Sequence, residues 1–323
     1  MVILAHICYC IYILITKGVI IMSNSSNFVV RYDMESTNYE LNHLITNTSF
    51  HINYHNHDYH EILYFISGRL KYIIEGTVYN LRPGDILVTN NKEMHKPILD
   101  ASKPYERYIL WIHPKFIEEL SDHFVDLSTT FDTASKSNNR VLRPSCNMQT
   151  LIANSFSNLE KATADNEFGN SLLQKSYLTE LLIFLNRVSV ENYYEIENTQ
   201  EYDPRINEII KYINDNLHDQ ISLDDIAEKF YLSKYHLCRL FKKNVEMTIY
   251  QYITKKRLII AKSLLISGSS VRTAFINSGF SDYSNFVKSF KKEFGVLPKN
   301  IATNINRNLL DSQLNTESYQ DRT

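Results

Sequence analysis

Two similar segments in the C-terminal third of the chain constrain its fold more than any other feature. The first, 221–243, reads ISLDDIAEKFYLSKYHLCRLFKK, and the second, 269–292, reads SSVRTAFINSGFSDYSNFVKSFKK. Ser233 aligns with Ser281 at an offset of 48 residues, and the following matched positions have an offset of 49, so the second turn is one residue longer. Each segment predicts a short helix, a turn and a second helix, the helix-turn-helix arrangement.

The second helix of each unit has an apolar face and a polar face. We expect Ser233 and Ser281 to be the N-caps, because a hydroxyl accepts from the free N–H groups of the first turn. The predicted buried positions are Leu237, Leu240 and Phe241 in the first unit and Phe286, Val287 and Phe290 in the second.

The polar faces carry long donors that match a DNA major groove and its phosphates. A single lysine is usually only a solvated surface charge, but two matched helices with the same pattern indicate a DNA-binding surface. The candidate DNA-binding residues are Lys234, Tyr235, His236, Arg239, Lys242 and Lys243 in the first unit and Tyr283, Asn285, Lys288, Lys291 and Lys292 in the second.

The charge distribution supports this assignment. The 323 residues have a formal net charge of −2, but residues 203–300 hold 16 Lys and Arg against 10 Asp and Glu. The C-terminal third is therefore the basic part, and basic domains attract polyanions. The four cysteines show no CxxC spacing, which argues against a structural zinc site and is typical of a reducing cytoplasm.

The rest of the chain predicts a second domain of mixed composition. Residues 28–112 have the alternating and aromatic runs of short strands, separated by Gly, Pro and Asn turns, which indicates a β-barrel or sandwich. Helical periodicity follows up to about residue 190. Its widest apolar stripe either packs on the barrel or forms a dimer seam, and both readings stay open. The stripe consists of Leu173, Tyr177, Leu178, Leu181, Leu182 and Leu185.

Three segments are expected to lie outside the two domains. Residues 191–203 are polar and acidic and predict a linker, and 302–323 form a polar tail. The apolar segment 1–21 lacks the basic start and the cleavage site of a signal peptide. We interpret it as an extension that is not part of the fold; the alternative is a membrane anchor with Lys17 near one end.

The C-terminal motif resembles the AraC/XylS family of bacterial transcription regulators. The family signature is carried by Gly279-Phe280, Phe286, Phe290-Lys291-Lys292, Gly295 and Pro298. The resemblance implies a long helix within 248–268 that joins the two units over residues 204–301, with Arg257 and Lys262 as phosphate contacts. It also implies promoter DNA and RNA polymerase as partners, and a homodimer.

Two positions depart from the family pattern. The turn after the first recognition helix commonly carries Gly, and this chain has Glu246. A helix end there favours Gly because the backbone is left-handed. The second unit has Ala274-Phe275 where Ile-Ala is usual. The large Phe predicts repacking and altered docking of that unit.

Family members commonly carry an N-terminal cupin-like barrel, and the histidine-rich stretch HNHDYHEILYFISG resembles the first cupin motif. His55, His57, Glu61 and Gly68 form this motif, and Pro83-Gly84-Asp85 with His95 resembles the second. His95 lies further from the Pro-Gly turn than in metal-binding cupins, so we expect it to fall short of the other histidines. His60 is expected on the opposite face, at the surface.

We therefore predict an α+β, two-domain transcription regulator: residues 28–190 form a cupin-like β-barrel with a helical dimerisation region, and the C-terminal domain is an all-α double helix-turn-helix. It would be cytoplasmic, without catalytic activity, metal or cofactor, and would respond to a small polar effector.

One alternative is a metal-dependent cupin enzyme fused to a DNA-binding module, since three imidazoles and a carboxylate suit a transition metal. The other alternative is a ligand-blind regulator whose barrel only dimerises. The predicted effector-pocket residues are His55, His57, Glu61, Tyr64 and His95, with Tyr72 and Trp111 as candidate walls.

Overall fold

The computed structural model divides the chain into two compact units, residues 1–201 and 202–323. It describes residues 19–22, 29–32, 34, 36–46, 52, 54–99, 104–137, 139–191 and 204–303. Nearly all of the predicted linker and tail, and most of the segment 1–21, lie outside these ranges. Strand β1 (Val19–Met22) pairs antiparallel with β2 (Val29–Tyr32). Within the described ranges, no helix is long and apolar enough to cross a bilayer.

The N-terminal unit contains two further antiparallel sheets, as the alternating sequence pattern predicts. The five-stranded sheet has the order β10-β7-β4-β9-β3, and the three-stranded sheet has the order β6-β5-β8. The strands are β3 (Tyr39–Thr46), β4 (His60–Ser67), β5 (Leu70–Ile74), β6 (Thr77–Leu81), β7 (Ile86–Thr89), β8 (His95–Leu99), β9 (Tyr105–Ile112) and β10 (Val141–Leu142).

Strand β4 separates the two cores of this unit, because successive side chains point to opposite faces. Leu63 and Phe65 belong to the core that also contains Tyr72 and Ile74 of β5. Ile62 belongs to the other core, which the helices cover. The alternation of side chains along β4 therefore determines which of its polar residues face the core shared with β5.

Four helices, two before β10 and two after it, cover one face of the five-stranded sheet. They are α1 (Pro114–Leu120), α2 (Thr129–Ser137), α3 (Cys146–Ala164) and α4 (Asn170–Glu191). The helical periodicity predicted up to about residue 190 is thus confirmed, although α2 was not predicted as a separate helix. In α4, four leucines of the predicted stripe are fully buried in this core, namely Leu178, Leu181, Leu182 and Leu185.

The C-terminal unit is all-α. Its helices are α5 (Pro204–Asp215), α6 (Leu223–Lys229), α7 (Lys234–Val245), α8 (Ile249–Ile266), α9 (Val271–Asn277) and α10 (Tyr283–Phe294). A final helical stretch covers 298–303. Helices α6 and α7 form the first predicted helix-turn-helix, α9 and α10 the second, and α8 is the predicted connecting helix.

Candidate nucleic-acid interface and histidine cluster

Helix α7 has the predicted two-faced character. The Ser233 hydroxyl accepts from the His236 backbone N–H at 3.2 Å, so the helix begins where the sequence predicts. Leu237, Phe241 and Val245 are buried against the domain. All six predicted donors are exposed: Lys234, Tyr235, His236, Arg239, Lys242 and Lys243. Lys234 also pairs with Asp224 of α6.

Helix α10 repeats this arrangement with a different cap. The predicted N-cap Ser281 is wrong: the Asp282 carboxylate accepts from the Asn285 backbone N–H. The extra residue of the second turn precedes the cap, so Asp282 takes the position of Ser233, and its negative charge favours the helix N-terminus. Phe286 and Phe290 are buried. The predicted donors Tyr283, Asn285, Lys288, Lys291 and Lys292 are all exposed.

The turns of both units use a left-handed residue at the same position. It is Tyr231 in the first unit, with φ 53°, and Gly279 in the second, with φ 84°. A Cβ on Gly279 would collide with the carbonyl oxygen of Leu217 and approach Arg257 Nε to 3.0 Å. Gly279 is therefore required both for its backbone conformation and for this close packing.

Arg257 is placed differently from its predicted role as a phosphate contact. Its Nε donates to the Leu217 carbonyl at 2.9 Å, and its guanidinium also donates to the Asp219 carbonyl. These bonds connect α8 to the loop between α5 and α6. They favour a structural role for Arg257, and its contact with phosphate stays a prediction. Lys262, the other predicted phosphate contact, lies over the Phe294 ring at 4.7 Å.

The unusual Ala274-Phe275 pair is accommodated by aromatic packing. Ala274 is fully buried. The Phe275 ring meets Tyr283 edge-on at 5.3 Å between centroids and lies 5.7 Å from Phe286. Phe275 therefore contacts the first turn of α10, and Tyr283 is at once a predicted DNA contact and a neighbour of this aromatic group.

In the N-terminal unit, the structure brings three of the predicted pocket histidines together. His55 and His95 exchange both backbone hydrogen bonds, at 3.1 and 2.9 Å, as an isolated antiparallel bridge. Their rings are 4.4 Å apart, and the His57 ring is 4.9 Å from that of His95. One ring nitrogen of each histidine lies within 4.8 Å of the other two. The expectation that His95 falls short is therefore wrong.

Backbone carbonyls orient two of these imidazoles. His57 Nδ1 lies 2.8 Å from the Tyr59 carbonyl oxygen, and His95 Nδ1 lies 3.0 Å from that of Glu93. A carbonyl only accepts, so each Nδ1 carries the hydrogen. Within the described part of the chain, the buried Nε2 atoms of both rings have no hydrogen-bond partner. Burial is the main reason that the pKa of His95 falls to about 4.

Glu61 lies beside the three histidines and is held by two aromatic donors. Tyr72 donates its hydroxyl at 2.7 Å, and Trp111 donates its indole N–H at 2.8 Å. His57 also lies close to Glu61, with its Nε2 3.4 Å from the carboxylate. Burial raises the pKa of Glu61, but His57, His95 and Tyr72 lower it by more, so the pKa lies well below its usual range and the group is a carboxylate. Tyr72 and Trp111, predicted as pocket walls, orient this group.

Two residues of β4 lie on the face opposite Glu61. Tyr64 stacks on Phe156 of α3 with the ring centroids 5.5 Å apart, so its predicted place in the pocket is wrong. His60 also faces the helices, as its position in the strand predicts, but it is buried rather than at the surface and stacks on Phe131 of α2. Burial lowers the pKa of His60 to about 3.

Three further residues, which the sequence did not predict, surround the histidines: Tyr59, Glu93 and Arg140. Tyr59 stacks on His57 with the ring centroids 4.0 Å apart. Glu93 provides the carbonyl for His95, and its carboxylate pairs with buried Arg140. Tyr59 could have been predicted, because it is an aromatic residue next to the histidine motif. The pairing of Glu93 with Arg140 could not, because the two residues are 47 positions apart and no local pattern connects them.

The fold defines a two-domain protein in which a β-rich unit precedes a double helix-turn-helix. Comparison with known proteins identifies both units. An AraC-like ligand binding domain model matches residues 43–182, and a helix-turn-helix domain model matches residues 226–304. The chain belongs to the AraC/XylS family of transcription regulators, and it is a DNA-binding protein of this class.

Individual proteins and solved structures are also similar to this chain. The transcriptional activator RhaS of Escherichia fergusonii is 24% identical over 260 residues, which cover 76% of this chain and 86% of that protein. Among solved structures, ToxT from Vibrio cholerae is 15% identical, with a TM-score of 0.33 and coverage of 83% of this chain and 98% of that one. An AraC-type regulator from Chromobacterium violaceum is 27% identical, with a TM-score of 0.29 and coverage of 31% and 90%.

Proposed function

We propose that this regulator is a cytoplasmic, homodimeric transcription activator whose N-terminal unit senses an effector at the histidine cluster. Helices α7 and α10 would bind successive major grooves of promoter DNA. The observation that carries the proposal is the repeated geometry of these helices: both have capped N-termini, a buried aromatic side and an exposed row of donors. Activation through RNA polymerase is proposed from the description of the RhaS relatives as activators.

The effector site is proposed between the two sheets. His57, Glu61 and His95 are buried polar side chains on the inner side of the barrel, and buried polar groups require a partner. Two buried imidazole nitrogens support a ligand that is bound in the functional state: His95 Nε2 has no hydrogen-bond partner in the described chain, and His57 Nε2 lies 3.4 Å from the Glu61 carboxylate, which cannot donate to it. The site has a binding role rather than a catalytic one, because a regulator needs a sensor.

The homodimer seam is proposed on the outer face of α4. The buried leucines of this helix belong to the unit's own core, so they cannot form the seam. By contrast, Leu172 and Leu173 are 71% and 47% exposed. They lie on the same helix as a shallow groove lined by Leu172, Lys175, Ser176, Thr179, Glu180, Ile183, Phe184 and Arg187. Sedimentation of Leu172→Glu/Leu173→Glu should give a monomer, and an unchanged dimer would reject this seam.

DNA binding by untagged full-length protein tests the proposal as a whole. Affinity for promoter DNA should fall steeply with salt, because lysine contacts to phosphates release counterions. The double variant Arg239→Ala/Lys288→Ala should lose specific binding. A matched control, Lys136→Ala/Lys161→Ala, removes two exposed charges from the N-terminal unit and should bind as the parent. Equal losses in both variants, or salt-insensitive binding, would contradict the assignment.

The proposed response to an effector is tested separately from DNA binding. Glu61→Gln keeps the shape of the side chain but removes its charge, and should abolish the response to effector while DNA binding stays within about a few-fold, because separate domains keep separate functions. A parent protein whose DNA affinity responds to no ligand would favour the ligand-blind alternative. Turnover of a substrate by purified protein would favour the enzyme alternative.

A further inference from the structure

We propose that His55, His57 and His95 bind one divalent transition-metal ion, with Glu61 as the adjoining carboxylate, and that this ion is the ligand of the N-terminal unit. The inference names the class of ligand for the effector site proposed above and rests on it in that respect. One premise of the sequence-based expectation of no metal was that His95 is too distant, and the structure removes that premise.

The first reason is the orientation of the imidazoles. In metal sites, a histidine ligand usually donates one ring N–H to a carbonyl or carboxylate and presents the other nitrogen to the ion. His57 and His95 both hold Nδ1 against a backbone carbonyl and bury Nε2. The Nε2 of His95 has no hydrogen-bond partner in the described chain, and that of His57 lies 3.4 Å from the Glu61 carboxylate, which is an acceptor and not a donor. An ordinary buried histidine would pair its second nitrogen with a donor, since a buried acceptor without one costs free energy.

The second reason is how the backbone places the ligands. His55 and His95 form a hydrogen-bonded antiparallel pair, so their side chains lie beside each other on one face. His57 is two residues from His55, which places it on the same side in an extended segment. The candidate ligand atoms lie within 4.8 Å of one another. In a tetrahedral site with bonds of about 2.0–2.1 Å they would be about 3.4 Å apart, so small side-chain rotations would close the site.

The third reason is charge. Glu61 is a buried acidic side chain beside the three histidines, and a buried acidic group needs a compensating partner. Tyr72 and Trp111 hydrogen-bond Glu61 but contribute no positive charge. A divalent cation next to His57 and Glu61 would supply it. Imidazole-rich sites with one carboxylate suit zinc, iron, nickel, cobalt or manganese rather than magnesium or calcium.

Metal analysis of untagged full-length protein tests the proposal. After dialysis and reconstitution with Zn²⁺ or Co²⁺, the parent should retain one ion per chain. His55→Gln is the principal variant because His55 is only partly buried, so its loss should not prevent folding. It should retain little metal, and so should His95→Gln. His60→Gln, which removes a buried histidine from the opposite face of β4, should keep the ion.

Two controls make the result specific. The N-terminal segment contains His6, Cys8 and Cys10, which are possible ligands by residue type, so the measurement is repeated in a Cys8→Ser/Cys10→Ser variant that should still bind one ion. Thermal unfolding of each variant without metal separates loss of binding from loss of fold, and metal should raise the melting temperature of the parent and of His60→Gln but not of His55→Gln.

The outcomes separate the metal site from the function that it serves. The proposal is overturned if the parent binds no stoichiometric metal, or if both His55→Gln and His95→Gln retain the metal. Either result would leave the proposed DNA binding intact. Bound metal should change the affinity for promoter DNA by at least about tenfold, and an unchanged affinity would overturn the ion's role as effector. Absence of DNA binding with and without metal would instead contradict the proposed function.

Discussion

Glu246 and Gly295 occupy equivalent positions, directly after the two recognition helices, and both have a left-handed backbone, with φ values of 60° and 74°. In both, the backbone N–H donates to a carbonyl four residues earlier, at Lys242 and Lys291. The second unit uses the residue that this conformation favours, whereas the first holds a glutamate there at a conformational cost.

Replacing Glu246 with glycine should therefore stabilise the C-terminal unit by about 1 kcal/mol, because glycine adopts this backbone without the Cβ clash. Gly295→Ala should destabilise it by a similar amount; a Cβ there meets no described atom within 4 Å, so only the backbone contributes. Chemical denaturation of both variants measures the difference. Glu246→Ala is the control, and if it stabilised as much as glycine, the backbone explanation would be wrong.

Arg257 should contribute to stability rather than to DNA affinity. Arg257→Lys keeps the charge but cannot make both carbonyl bonds, and we expect the free energy of unfolding to fall by about 1–3 kcal/mol. The salt dependence of DNA binding should stay the same, because the exposed donors of α7 and α10 are unchanged. A phosphate contact would give the reverse: normal stability, with a shallower salt dependence in Arg257→Ala.

Arg239 and Lys288 are matched positions of the two units, and we expect Arg239 to contribute more to specific binding. Arg239→Ala should cost about 1–3 kcal/mol and relax the base preference at one or two positions. Lys288→Ala should cost less, because the large Phe275 packs against Tyr283 and Phe286, where the family pattern has a small residue, and this predicts altered docking of the second unit. Affinities for a set of single-base operator variants measure both. An equal or larger loss at Lys288 would refute this order.

Stability of the N-terminal unit should decrease in mild acid because of His60. Its folded pKa of about 3 lies below the ordinary value of 6.5, so between these values the unfolded chain binds the proton and the folded one does not. Above pH 6.5 the imidazole is neutral in both states and the free energy of unfolding keeps its full value. As the pH falls towards 3, protonation of the unfolded chain lowers that free energy. From pH 7 to 5 the loss should be about 2 kcal/mol. Denaturation of His60→Phe, which keeps an aromatic ring against Phe131, should show a smaller loss; an equal loss would exclude His60 as the cause.

The C-terminal fold was predictable because its signals are local. Caps, four-residue spacings and the repeat itself indicate each helix, and only the cap at Asp282 was misplaced, by the one-residue insertion. The strands were also predictable, but the face of each side chain was less certain. Tyr64 was assigned to the pocket although it is three residues from Glu61, an odd separation that places it on the opposite face of a regular strand.

The histidine cluster depends on contacts that no local pattern contains. His95 meets His55 through a bridge between segments 40 residues apart. The distance from the Pro-Gly turn along the chain therefore did not indicate the distance in space. The burial of His60 likewise depends on α2, a helix that the sequence analysis missed, because its Phe131 covers the imidazole.

The central claim is that the two helix-turn-helix units bind one duplex together, and footprinting of the full-length protein on its promoter tests it most directly. At each half-site, bound by one protomer, we predict two protected major-groove segments centred one helical turn, about 10 base pairs, apart. Arg239→Ala should weaken protection in one segment and Lys288→Ala in the other. A single protected segment that both variants affect alike, or no protection at low salt, would contradict the account.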